Sequence, residues 1–166
     1  MNPAVYIRIT RSLSTASLLL LFSVFSAYAQ KPPRPVTITP VATLSFGAFY
    51  QSGAGTVSVD YAGTRTWTGG IIVLGSHVVS SAILRISGNP GTRITLTMGP
   101  DITMNGSGGG TLTLHLDPVT DPVSPFVLTG GNPATVDLHL GGTIDVPAAR
   151  PRGSYSGTFM IIFNQD

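Results

Sequence analysis

The sequence has no cysteine and no glutamate, and Lys31 is its one lysine. The first absence excludes a disulfide framework, so stability must come from core burial and from any partner the chain meets. The second and third remove the residues that usually cover exposed helix faces. No helical period appears past residue 30. Long apolar runs are missing as well: the uninterrupted stretch Leu18–Phe22 falls far short of the roughly 20 residues that a membrane helix needs. Threonine, serine, glycine, valine, isoleucine and leucine fill the chain instead, which is a sheet composition.

Residues 1–29 read as a cleaved secretory signal. Arg8 and Arg11 supply a basic start, "LSTASLLLLFSVFSAYA" an apolar stretch, and Ala27-Tyr28-Ala29 a small-x-small cleavage site before Gln30. Removing that segment takes two arginines with it and leaves seven basic residues against seven aspartates. The formal balance is then zero, and no electrostatic case for nucleic acid or an anionic membrane remains. The expected address is the periplasm or the cell surface. Residues 30–35, "QKPPRP", form a proline-rich lead that cannot pair inside a sheet and suits polyproline II.

From Val36 onward the grammar is that of half-buried strands. Val36, Ile38, Ala42, Leu44 and Phe46 share one parity, with Thr37, Thr39, Thr43 and Ser45 on the other. Pro40 interrupts the pattern, as befits an edge strand, a bulge or a switch between sheets. The alternation returns in "TVSVDY", "SAILRISG", "RITLTM", "TLTLHL" and "TVDLHL", separated by turn residues, with "IIVLG" as a short continuous run. Eight or more short strands without helices predict one antiparallel sandwich or barrel over residues 36–166.

The final segment, "GSYSGTFMIIFNQD", differs from the rest. Tyr155, Phe159, Ile161 and Phe163 share one face, but Met160 and Ile162 make the other face apolar too. A strand that wants cover on both sides belongs in mid-sheet or beside something another segment supplies. As a bare edge it would be an aggregation hazard.

Two motifs, Leu-Ser-Phe-Gly at 44–47 and Gly-x-Tyr-x-Gly-x-Phe at 153–159, together with "GTVSVDYAGTRTWTGGIIVLG", carry a resemblance. The chain resembles the bacterial domain-of-unknown-function family 4402, exported proteins related to chaperone–usher pilins, spore-coat-U-like proteins and other fimbrial subunits. The resemblance implies an immunoglobulin-like, pilin-like sandwich that lacks its own last strand. A neighbour's N-terminal extension would fill the groove by strand addition. Tyr155, Phe159, Ile161 and Phe163 would then line the acceptor, and residues 31–39 would donate Val36 and Ile38. The partners implied are the protein itself or sibling subunits, and a periplasmic chaperone. Val36 and Ile38 equally suit the domain's own first strand, which would make the protein a self-complemented, monomeric binding module with loops 62–70 and 105–110 facing a ligand.

Other constellations are weaker. His115 with Asp117, and His139 with Asp137, occupy mirrored contexts on two strands, a metal set only if those strands are neighbours in the right register. The plainer reading is two polar strand faces, and no metal and no cofactor is expected. "NGSGGG" at 105–110 lacks the lysine and the strand-to-helix setting of a phosphate loop and reads as a hairpin loop. No "GxSxG" pattern and no acid pair occur, so catalysis is not expected. Trp67, the single tryptophan, is read as a plug at one end of the core.

Overall fold

The structure, a computed structural model, describes residues 35–165. The signal segment and most of the proline-rich lead lie outside the described residues. Thirteen strands and no helix follow one another among those described. First come β1 (Thr37–Ala42), β2 (Ser45–Gln51), β3 (Gly55–Val59), the short β4 (Arg65–Trp67) and the long β5 (Ile71–Ser80). β6 (Ala82–Gly88), β7 (Arg93–Met98), β8 (Ile102–Gly106) and β9 (Thr111–Asp121) occupy the middle. β10 (Phe126–Val127), β11 (Ala134–Val146), β12 (Tyr155–Ser156) and β13 (Ile161–Gln165) complete the set.

All pairings are antiparallel. The largest sheet runs β1-β6-β11-β9-β8-β12, with β3 and then β4 attached through β11; β10-β7-β13 and β2-β5 form two smaller sheets. β11 is the spine because it is long enough for three partners. Its first half, Ala134–Leu140, pairs β6, its second half, Gly142–Val146, pairs β3, and β9 takes the other edge.

The period-two pattern explains which side chains are inside. Val57 and Val59 on β3, Leu112 and Leu114 on β9, and Leu138 and Leu140 on β11 are buried, while Ser58, Thr113 and His139 between them face outward or lie at half depth. Burial gathers into two clusters. One holds Phe46, Val57, Val59, Ile71, Ile102, Leu112, Leu114, Ile144 and Val146. The other holds Ala82, Ile86, Ile94, Phe126, Leu128, Ala134, Leu138 and Leu140. Leu44, Leu116 and Phe159 pack against both and join them.

β1 is an edge strand with a register irregularity between Pro40 and Ala42, after which the chain leaves the large sheet and enters the β2-β5 pair. Pro40 has no N–H to give a ladder, so the bulge and the change of sheet fall where the backbone can least sustain pairing. Trp67 departs from expectation. It lies on β4 and is 49% exposed, not sealed in the core. β4 is a three-residue strand that, among the described residues, pairs with β3 alone, too peripheral to carry the ring inward.

Candidate functional site

The Leu44–Gly47 motif begins one wall of a groove. Phe46 turns inward on β2 and is buried, and the next residue, Gly47, has φ +70° at a register shift between Phe46 and Ala48. A side chain there would meet strain from the backbone and the Arg65 guanidinium, whose Nη1 lies 2.8 Å from where a Cβ would stand. That guanidinium donates to the carbonyls of Phe46 at 3.0 Å and Leu74 at 3.2 Å, tying the irregular stretch of β2 to β5. Among the described residues, β2 has a strand partner on this one edge only.

The Gly153–Phe159 motif builds the opposite wall. Ser154 exchanges two hydrogen bonds with Ser107, its carbonyl accepting from the Ser107 amide at 2.9 Å and its own amide donating to the Ser107 hydroxyl at 3.0 Å. The Tyr155 hydroxyl donates to the Pro151 carbonyl at 2.6 Å. At Gly157 an added Cβ would stand 3.0 Å from Ile102 and 3.3 Å from the Thr103 carbonyl, so glycine lets the chain lie against β8. Phe159 then drops into the junction of both core clusters, and the chain continues into β13. The loop 105–110 is a hairpin turn closed by Gly109 N–H to Gly106 carbonyl at 3.0 Å, and it buttresses this wall.

Between the walls lies a groove of about 760 Å³, floored by Met104, Leu112, Ile144 and Val146. It adjoins a recess of about 150 Å³ shared by Leu44, Phe46, Tyr155 and Phe159. The volume is that of a ligand site, and the lining takes in the whole of β2 on one side and residues 150–155 on the other. At one end the Gln51 side chain holds the walls together. With its amide turned to satisfy both partners, its oxygen accepts from the Arg150 and Ala149 amides at 2.7 and 2.8 Å. β13, beyond the other end, pairs β7 from Ile161 opposite Met98 to Gln165 opposite Ile94, and no described strand occupies its second edge.

The expected acceptor residues therefore fall in two places. Tyr155 and Phe159 line the groove or its recess. Ile161 and Phe163 sit on β13 and pack against the second cluster, with Met160 and Ile162 facing out, 59% and 46% exposed. Val36 packs against that same second cluster, and Ile38 lies on β1 opposite Ile86 of the chain's own β6. Neither lines the groove.

The histidines are placed apart. His115 lies opposite Thr143, whereas His139 lies opposite Asp121, on the far side of the irregularity between Leu140 and Gly142. Asp117 caps its own turn by accepting from the Val119 amide, and Asp137 is engaged by both Nε and Nη2 of Arg85 at 2.7 Å. His115, Asp117, Asp137 and His139 thus do not form one ligand set. Instead, His115 bridges Asp101 at 2.7 Å through Nδ1 and Asp145 at 3.0 Å through Nε2. The hydrogen bond to Asp101, then that to Asp145, raises the imidazole pKa above its ordinary value. The Arg85 hydrogen bonds lower that of Asp137. Strand alternation alone pointed to aspartates on the histidines' own strands; Asp101 and Asp145 come from neighbouring segments, and only the register brings them in.

These features define an all-β protein of curled antiparallel sheets with an elongated groove between β2 and the segment 150–159. The family model described as Domain of unknown function (DUF4402) matches residues 36–164, and the chain belongs to that family. No curated protein and no solved structure matches it.

Proposed function

We propose that this protein is an exported subunit of fimbrial type, an immunoglobulin-like sandwich with one strand position open, which assembles when another molecule supplies that strand. The observation that carries this reading is the groove itself. It runs between two chain segments and is floored by core side chains, and β2 beside it and β13 outside it have edges without described strand partners. An incoming extended segment would pair with backbone groups along those edges and send alternate apolar side chains toward Met104, Leu112 and Ile144. In its turn the protein donates residues 31–39 to the next subunit, with Val36 and Ile38 leaving β6 to do so. Residues 1–29 direct export and are removed, and a periplasmic chaperone guards the apolar groove before assembly. No catalytic step and no cofactor enters this function.

The test is the Met104→Lys variant, which places a charge on a half-buried part of the groove floor. Loss of multimers, or of a co-purifying partner polypeptide, in material that still exports and folds is the expected result; unchanged assembly in a folded Met104→Lys chain would overturn the assignment. A second reading, a self-complemented monomeric binding module at the cell surface, draws on one specific observation: Val36–Ala42 already serves its own fold, with β1 paired to β6 along Thr37–Ala42. A mature chain that stays monomeric at all concentrations would favour it.

A further inference from the structure

The groove is apolar on its floor and cationic at one end. Arg150 and Arg152 line that end, and no aspartate lines the groove. Among the described residues, neither arginine takes part in an ion pair, in contrast to Arg85 with Asp137. Arg152 rests its guanidinium 6.0 Å from the Tyr50 ring centre, and the buried Nε of Arg150 has no hydrogen-bond partner. A buried N–H left without an acceptor is costly, and a carboxylate is the acceptor best matched to guanidinium. Both arginines stand at the end where Gln51 clasps Arg150, so the charge is confined to one end of the groove.

We infer that the strand received by this groove carries an aspartate or glutamate at the end that lies beside Arg150 and Arg152, and so comes from a different polypeptide. The inference rests on the strand-acceptor reading above. Its second half follows from the sequence: residues 30–59 contain no acidic residue, and the segment that would donate contributes Lys31 and Arg34. A second copy's N-terminal segment would bring like charge to a cationic end, which disfavours self-pairing and selects a partner with an acidic extension. The apolar floor supplies affinity without discrimination, and the arginines set identity and direction of entry.

The experiment uses the exported full chain and end-capped peptides of alternating valine and threonine, seven residues long like β2, with Asp, Asn or Lys at either end. Binding is measured by titration at low and high salt. One Asp peptide is expected to bind about tenfold more tightly than its Lys counterpart, the scale of one or two partly screened ion pairs, with the gap closing in high salt. A peptide of residues 30–42 should behave like the Lys series. Arg150→Gln with Arg152→Gln should bring the Asp-to-Lys ratio near one, whereas Arg93→Gln on β7, which removes a positive charge away from the groove, should leave it in place. Should the double variant fail to fold, the salt dependence of the unaltered chain decides. Equal binding of all three series, an Asp preference that survives in the folded double variant, or tightest binding by residues 30–42 would overturn this inference and leave the acceptor reading standing. If no peptide binds, both fall.

Discussion

β1 and β13 are both edge strands, yet only one is protected. β1 carries Pro40 and a bulge between Pro40 and Ala42, devices that blunt an edge against further pairing. β13 begins Ile161-Ile162-Phe163 with no proline, no charge and no register irregularity, and Met160 and Ile162 lie exposed beside it. The difference is informative because the hazard is the same for both. Where a sequence leaves one edge sticky while guarding another, the sticky edge is where the proposed partner strand would add.

The comparison is broken most forcefully from inside. Ile161 packs against the second core cluster, so Ile161→Asp places an unpaired charge against apolar neighbours and should cost about 3 kcal/mol or more. Failure to fold, read by circular dichroism and thermal unfolding, is the expected outcome; a native-like melting curve would mean that β13 is not anchored as described. One residue on, Ile162→Lys alters only the outward face. Stability should change by less than about 1 kcal/mol, while strand-mediated assembly disappears from light scattering. A folded Ile162→Lys protein that still assembles would remove β13 from the interface. The counterpart on the guarded edge, Val41→Lys, lies past the donated segment 31–39 and is half exposed; it should shift stability by no more than about 0.5 kcal/mol and leave assembly unchanged. An assembly defect there would show that β1 contributes more than residues 31–39.

The smallest effect concerns the clasp that holds the spine of the sheet. Because Asp101 and Asp145 raise the His115 pKa, the stabilisation is fully present below the unfolded imidazole value of about 6.5 and is lost as pH rises through the higher folded value. Urea unfolding across that range should show stability falling with increasing pH, by less than about 1 kcal/mol because the groups are largely exposed. Asp145→Asn should flatten the slope. A slope of opposite sign would show that the imidazole is not held in its charged form.

Much of this fold is legible in the sequence itself. Strand alternation located Val57, Val59, Leu112, Leu114, Leu138 and Leu140 in the core, because period two is imposed by the pleat itself. Pro40 marked the irregular edge for a local reason, the missing N–H. The groove was only half visible: Tyr155 and Phe159 could be picked out by their shared face, but β2 as the facing wall, the Gln51 clasp and the Arg150–Arg152 end depend on segments about a hundred residues apart. Pairing across such distances is set by topology, and a single sequence carries no register for it. The same gap explains His115, whose aspartates are on other segments, and Trp67, whose exposure follows from β4 being a peripheral strand.

The central claim, that the groove and the β13 edge receive a strand from another molecule, is tested most directly by light scattering on the exported chain as it elutes from a sizing column, before and after heating, beside Ile162→Lys. The account predicts multimers, or a second bound polypeptide, that survive dilution, come apart on heating and are missing from the variant. A heat-indifferent monomer with the same mass in both proteins would contradict it.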